Sequence, residues 1–569
     1  MNAIHKHNIF EAVYKKKSKP LMKTKTTIYG ILILTLLFAF IHSAFSQVTQ
    51  QWTAKYSGTG NNVDLPAAMT TDATGNIYVT GQTMLTGGTQ AIGTVKYNSE
   101  GVQQWIATYA GTDANNEMGK SVAVDASGNV YVTGFSATTG AALDIATVKY
   151  NSAGVQQWAV RYNGAGNAFD EGTKVSVDAS GNVYVFGHAT STTTGIDLVT
   201  IKYNSAGVQQ WLTTYNGTNN SEEVSASMAM DASGNIYVLG KTRVDVFSTA
   251  FVTIKYNNSG VQQWAKIYAG PGNSEDTPTS LVLDAAGNVY SAGTTYGAGP
   301  QMDYTVVKYN NAGDQQWVAR YNGPENLGDQ ATAVAVDASG NVYVTGFSES
   351  ATTMNDIVTI KYNSAGAQQW LQRYNGADNL SDNGNAIAVD ASGNVYITGY
   401  TVSTASSSDY LTIRYNSAGV QQWLQKYNGA ENMSDAANSI LIDNTNNVYI
   451  TGSSSSAATQ DDIVTIKYAQ SVGITSISST IPDGFKLSQN YPNPFNPTTK
   501  IKFDITKESF VSLKIYNSLG TEVAVLANNK LAVGTYEADW NAASFPSGIY
   551  YARINAGGFT DVKKMMLVK

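Results

Sequence analysis

Along most of this chain apolar and polar positions alternate with a period of two, in short runs broken by Gly, Asn, Asp and Ser. Residues 121–162 illustrate the pattern. Positions 121–124 are short and apolar, 129–133 and 145–150 alternate, and 157–162 put Trp158, Val160 and Tyr162 on one face. Alternation rich in β-branched and aromatic residues predicts strands. The breaks carry turn chemistry. In Asp125-Ala126-Ser127-Gly128-Asn129 the Asp side chain can accept from the backbone ahead, and Gly can take a positive φ. In the last copy Asn446 stands at the Gly position, and Asn is the other residue that tolerates the left-handed region.

The four runs recur. Trp52, Trp105, Trp158, Trp211, Trp264, Trp317, Trp370 and Trp423 follow one another at intervals of 53 residues. An Asp-led turn and a Lys-Tyr (once Arg-Tyr) strand end repeat in step. Four short strands per repeat and eight repeats predict an all-β fold, an eight-bladed β-propeller, with a β-solenoid as the rival. The ends of the array favour the propeller. The chain enters with a lone Trp strand at 50–56 and leaves after Tyr468 without one. An N-terminal strand that completes the last blade closes a ring and leaves no open edge.

These residues resemble the SBBP family of bacterial β-propeller repeats. The pattern is Val-Asp-Ala-Ser-Gly-Asn-Val-Tyr-Val-Thr-Gly at 124–134, Asp144, Lys149-Tyr150 and Gly154-Val155-Gln156-Gln157-Trp158, and it covers 47–468. The Gly-x-x-x-Trp step is also similar to the tryptophan-docking motif of eight-bladed quinoproteins, which implies that the eight Trp pack between blades. Tyr150 stands where that motif prefers Asp, so the resemblance extends to packing and not to quinone chemistry.

Composition changes after the repeats. A small-residue linker is expected at 469–484, followed at 487–499 by Leu-Ser-Gln-Asn-Tyr-Pro-Asn-Pro-Phe-Asn-Pro-Thr-Thr. From there to the basic end at Lys569 the chain resembles the type A C-terminal sorting domain of type IX secretion cargo, and its own alternation reads as a small Ig-like β-sandwich over 485–569. The resemblance implies passage across the outer membrane by the type IX machinery, removal of the domain, and attachment at the cell surface or release.

At the other end, residues 1–25 are basic, 28–41 are apolar, and Ala44-Phe45-Ser46 offers small residues before Gln47. That is a secretory signal peptide over 1–46, with Met22 as an alternative start. No transmembrane span is expected once it is removed.

Charge and composition narrow the chemistry. The whole chain carries −7, the first 46 residues +6 and residues 485–569 +4, which leaves −17 on 47–484. Such a body repels phosphate backbones, so nucleic acid is not an expected partner. There is no Cys, which removes thiolate metal sites and Cys nucleophiles. Of four His, only His188 lies outside the leader, and its counterparts in other repeats are Gln82, Phe135, Lys241, Thr294, Phe347, Tyr400 and Ser453. No catalytic constellation is found, so no enzyme and no cofactor are expected.

Antiparallel order puts the loops between second and third strands on one face, together with the crossings between blades. Those loops, expected at 82–91 and at each 53-residue repeat of it, vary in sequence, and loops on a rigid scaffold are where recognition sits. Lys241, Arg243, Phe247, Tyr296, Phe347 and Tyr400 are the candidate ligand contacts. Each crossing also holds an acid: Asp64, Glu117, Asp170, Glu223, Asp276, Asp329, Asp382 and Asp435. These eight form either a cation ring, with calcium as the natural ion, or a set of loop-internal acceptors of backbone N–H. Asp144, Asp197, Asp303, Asp356, Asp409 and Asp462 are read as turn formers.

The function expected is a secreted or cell-surface binding and adhesion scaffold, with polysaccharide or protein as ligand. A quinoprotein-like or polysaccharide-lyase enzyme and a structural surface-layer component are the alternatives. N-terminal sequencing of the exported protein is expected to start at Gln47. A start within the apolar run or upstream of it would contradict the leader assignment.

Overall fold

The structure is a computed structural model that describes residues 48–569 except 112–115, 139–141, 219, 273, 298–300, 471–473 and 543–544. The leader therefore lies outside the described residues. Among the described residues there is no helix, and the strands form ten four-stranded antiparallel sheets, eight of them in the repeats. The repeats are propeller-like. Seven of these sheets each take four consecutive strands, beginning with Leu65–Thr71, Ile77–Leu85, Thr89–Tyr97 and Gln103–Tyr109 in unit 1. Unit 8 combines Asp435–Ile442, Val448–Ser456 and Gln460–Gln470 with the N-terminal strand Val48–Tyr56, as the missing Trp strand of the last repeat requires.

The strands are longer than the alternation alone suggests. In unit 2 they run Glu117–Val124, Val130–Ala137, Leu143–Tyr150 and Gln156–Tyr162. Every first strand carries a bulge, as between Gly119 and Ser121. The bulged residue reaches the next unit: Thr279 Oγ1 donates to Ala331 O (3.1 Å), Thr332 Oγ1 to Gly384 O (2.6 Å) and Asn385 Nδ2 to Ala437 O (2.9 Å). The same bond runs from unit 8 to unit 1, from Asn438 Nδ2 to Pro66 O at 3.3 Å. First strands of neighbouring units lie against one another, and so do Asp435–Ile442 and Leu65–Thr71.

Each Trp is held between two units. Trp105 lies 6.0 Å from Tyr78 of its own unit and 6.5 Å from Tyr150 of the next, and its Nε1 donates to Ser152 O of the next unit at 3.0 Å. Lys96 Nζ reaches toward the same carbonyl and sits 5.2 Å above the Tyr78 ring. Gly154 receives the indole. Its φ is +80°, and a Cβ there would stand 2.7 Å from Trp105 Cδ2. The Gly-x-x-x-Trp spacing thus joins a docking surface to the strand that sends the next Trp onward. Aromatic pairing and one hydrogen bond contribute about 0.5–1.5 kcal/mol each at such a contact. Asn446 takes φ +62° at the Gly position of the Asp-led turn, as its sequence position implies.

The tail holds the other two sheets. Ile474–Ser478, Gly534–Asn541, Thr498–Ile505 and Lys486–Leu487 form one, and Glu522–Leu531, Ser509–Asn517, Gly548–Ala556 and Phe559–Leu567 the other. Their inward residues, among them Ile501, Phe503, Leu513, Trp540 and Ile554, make one core. The linker expected over 469–484 is partly strand: Ile474–Ser478 pairs with Gly534–Asn541, because an extended segment beside an open sheet edge satisfies its backbone by joining it.

Gly260 docks Trp211 at φ +80°, and a Cβ would approach Trp211 Cδ2 to 2.7 Å. Gly260→Ala is expected to cost about 1–3 kcal/mol, measured by urea unfolding, whereas Ser259→Ala on the same exposed turn stays within about 0.5 kcal/mol. Equal effects from the two changes would contradict the docking role.

Candidate functional site

The eight crossing acids sit where the chain passes from one sheet to the next, and all are buried, at most 2% exposed. Each carboxylate serves its own crossing. Gly58 N donates to Asp64 Oδ2 (2.6 Å), Gly164 N to Asp170 Oδ2 (2.5 Å) and Gly270 N to Asp276 Oδ2 (2.6 Å). Gly323, Gly376 and Gly429 repeat the bond to Asp329, Asp382 and Asp435, and Gly111 N donates to Glu117 Oε1. A second donor comes from the end of the second strand, such as Thr190 N to Asp170 Oδ1 (2.7 Å) or Thr242 Oγ1 to Glu223 Oε1 (3.1 Å). These are the loop-internal acceptors of the sequence reading. Among the described residues no group of three or more His, Asp or Glu is arranged to hold a metal ion.

Four of the Asp residues read as turn formers also take an ion pair. Asp144 lies within the strand Leu143–Tyr150, and Arg161 of the fourth strand reaches across to it (Nε to Oδ2, 3.2 Å). Arg320 pairs with Asp303 at 2.9 Å and Arg373 with Asp356 at 2.6 Å. Lys55 of the N-terminal strand pairs with Asp462 at 2.7 Å. These carboxylates are less than 9% exposed, and Asp197, Asp356 and Asp462 also accept from a Thr hydroxyl three residues earlier in the turn, so the ion pairs stand beside the turn role.

The candidate loop contacts also move. The loops expected at ten residues shrink to tight turns, because backbone pairing continues through polar side chains. Lys241 and Arg243 lie in Ile236–Arg243, Tyr296 ends Val289–Tyr296, Phe347 lies in Val342–Ser350 and Tyr400 in Val395–Val402. Phe247 alone of the six occupies a turn, 81% exposed. Among the described residues no ring contact joins Phe247, Tyr296, Phe347 and Tyr400.

A different group does come together, on units 2 to 4 at the same face. Outside the acid column, first strands carry only three charges, Lys120, Glu171 and Lys174. Lys120 Nζ stands 3.4 Å from Glu171 and 5.6 Å above the Phe135 ring. Glu171 pairs with His188 across the sheet, and Phe169 stacks within 5.5 Å of His188 and 6.2 Å of Phe135. His188 Nδ1 lies 2.8 Å from Ser225 Oγ, which also bonds Thr173 Oγ1. Burial, with the Lys120 charge adding, pushes the imidazole down to about 4, so it is neutral at pH 7 and a weak base. With the Ser225 hydroxyl buried and already shared, the arrangement suits holding a polar group better than general-base chemistry. Lys174 stands where the other units have only Ala or Ser, and burial lowers its affinity for the proton. In the sequence only Lys120, Glu171 and Lys174 stand out, as the charges of the first-strand columns. His188 taken alone does not.

Residues 489–569 match the family described as secretion system C-terminal sorting domain, and residues 369–404 match the beta-propeller repeat. The chain is thus marked for export to the cell surface or the extracellular space, through the type IX secretion system that such domains address. No curated protein matches. A fungal alcohol oxidase of the AA5 family in complex with copper aligns at 11% identity over 92% of this chain and 100% of its own, with a TM-score of 0.38. PorZ, a surface component of the type IX secretion system of Porphyromonas gingivalis, aligns at 12% over 90% of this chain and 87% of its own, at 0.27. Drosophila Plexin A in complex with Semaphorin 1b aligns at 9% over 74% and 88%, at 0.35. At these scores the likenesses carry no argument about this chain.

The acids give a pH dependence with a defined sign. Burial first, with Asp144 adding, pushes Asp170 up to about 6, and burial first, with Asp197 adding, pushes Glu223 up to about 7. A carboxyl whose folded value is raised favours the fold below its ordinary range, and that contribution is lost as pH rises through the folded value. The melting temperature is therefore expected to fall between pH 5 and pH 8, and Glu223→Gln, which cannot ionise, to flatten part of that fall. An unchanged slope in Glu223→Gln would contradict the assignment.

Proposed function

We propose that this exported chain is a non-catalytic binding scaffold: a closed eight-bladed propeller over 47–468, delivered by an Ig-like sandwich over 485–569 that engages the type IX machinery. The return of the inter-unit bonds from unit 8 to unit 1 supports closure, through Asn438 to Pro66 and through Lys467 Nζ to Ser99 O at 3.1 Å. Trp52 Nε1 donates to the same Ser99 carbonyl at 3.0 Å.

The observation that carries the binding reading is the break in repeat symmetry. The other repeat sheets are made almost alike, while Lys120, Phe135, Phe169, Glu171 and His188 gather on one face of units 2 and 3. A repeat that serves architecture alone has no need of such a departure. Aromatic rings beside charged and hydroxyl groups suit a polysaccharide or a polar protein surface. The crossing acids keep their own N–H donors, so the scaffold stands without calcium.

The test is a glycan array with the exported chain, run with calcium and with chelator. Calcium-independent capture of one sugar class, reduced at least tenfold by Phe169→Ala with His188→Ala, is the expected result. Calcium-dependent capture would return the acids to the site. No capture, together with concentration-dependent self-assembly in light scattering, would replace the binding reading with a surface coat.

A further inference from the structure

Across the repeats the inner acid of the third strand and a base of the fourth strand are present or absent together. Units 2, 5, 6, 7 and 8 have Asp144 with Arg161, Asp303 with Arg320, Asp356 with Arg373, Asp409 with Lys426 and Asp462 with Lys55. Units 1 and 4 have neither, with Ala91 and Thr108 in one and Ala250 and Ile267 in the other. Unit 3 breaks the rule. It keeps Asp197, buried, and places Thr214 where the base belongs.

The backbone there is unchanged. Thr214 pairs with Val199 as Arg373 pairs with Val358 and Arg161 with Ala146. The acceptor is built the same way too. In unit 6, Asp356 Oδ2 accepts from Thr353 Oγ1 (2.9 Å) and from Arg373 Nη1 (2.6 Å). In unit 8, Asp462 Oδ2 accepts from Thr459 Oγ1 and from Lys55 Nζ. In unit 3, Asp197 Oδ2 accepts from Thr194 Oγ1 at 2.6 Å, and no basic side chain among the described residues reaches it. Two parts of the station differ: the base is missing, and Ala189 pairs with Asp197 where Ser136 and Ser348 pair with Asp144 and Asp356.

The surroundings sharpen the deficit. Glu223 of unit 4 follows directly, its N bonded to Ile196 O at 2.8 Å. Asp197 Oδ1 and Glu223 Oε2 are both buried without a hydrogen-bond partner, as Asp144 Oδ1, Asp356 Oδ1 and Asp462 Oδ1 are too, so the difference in unit 3 lies at Oδ2, which has no base. The groups that face this place are the carboxyls of Asp170, Asp197 and Glu223 and the phenols of Tyr162 and Tyr215, with no positive charge among them. Glu223 is pushed up to about 7, by burial first and by Asp197 in addition, as expected of an acid that lacks its counter-ion. Thr214 is exposed, so the station is approached from solvent across a small side chain.

We propose that the place between Asp197 and Thr214 is a recognition site for a guanidinium or ammonium group on a basic side chain of a partner protein, arginine above all. The occupant is inferred from the other units, where the same carboxylate is met by Arg three times and by Lys from the N-terminal strand once. Arg supplies a planar fork, as Arg373 does to Asp356 and Ser348 Oγ (2.6 Å), and of these two acceptors unit 3 offers the carboxylate, with Ala189 standing where Ser348 does. A metal ion fits less well, because the facing carboxyls are not arranged as a group of three or more that could hold one. The inference rests on the binding-face reading above and names the chemistry of one contact on it.

The experiment titrates the full exported chain with a blocked arginine amide, followed by NMR, beside a blocked norleucine amide. Saturable binding of the arginine probe alone is expected, with Kd on the order of 1 mM for one such contact. Thr214→Arg, which supplies the cation from the chain itself, is expected to weaken that binding at least tenfold while raising the melting temperature. Thr108→Arg in unit 1, where Ala91 offers no carboxylate, should leave both unchanged. Asp197→Asn provides a second loss of binding. Equal binding by wild type and Thr214→Arg would overturn the proposal, as would displacement of the probe by calcium or no saturation at all. Arginine binding by a chain that captures no macromolecule would retire the scaffold reading and leave this site standing.

Discussion

The indole that each unit lends to the next is the contact on which the rest of the repeat depends. Trp211 Nε1 donates to Asn258 O of the following unit at 3.1 Å, and its ring covers the Gly260 turn. Lys202 reaches the same carbonyl and lies 4.9 Å above Tyr184. A four-stranded sheet has two faces to cover and cannot do so alone, so every unit is stable only against its neighbours. The 53-residue interval is kept without insertion because seven of the eight Trp, all but Trp423, meet a Gly and a carbonyl placed by the next unit.

Burial of charge sets the second constraint. The first-strand entry carries an acid in every unit, supplied with N–H donors from its own crossing, and four units add an Asp that takes an Arg or Lys from the fourth strand. A buried ion without a partner is far more costly than the pair is favourable. That asymmetry explains why units 1 and 4 lose acid and base together, and why the exception in unit 3 is informative. Lys120, Glu171, Lys174 and His188 fall in or beside the same unit. The symmetric units make a frame, and the departures from symmetry mark where something other than architecture is at work.

Much of the frame was legible in the chain. The strand order, the N-terminal strand completing unit 8, Asp125 accepting from Ser127 N and Asn129 N (both 2.9 Å), and the left-handed Asn446 follow from local chemistry repeated eight times. The sorting domain was legible because its motif is contiguous. Loop lengths were not, since backbone pairing continues through polar stretches that look like loops, as around Lys241 and Tyr400.

What the sequence by itself determined was the unit: its strands, its turns, its period and its export. The tertiary structure alone decided who meets whom across units. Asp144 and Arg161 stand 17 residues apart, and nothing local distinguishes a turn Asp from one that meets a guanidinium folded back from the fourth strand. Lys55 and Asp462 lie at opposite ends of the repeats and are joined only when the N-terminal strand enters the last sheet. Local chemistry acts over a few residues of chain, whereas the pairing of buried charges depends on distance in space, and that is set only once the sheets have packed.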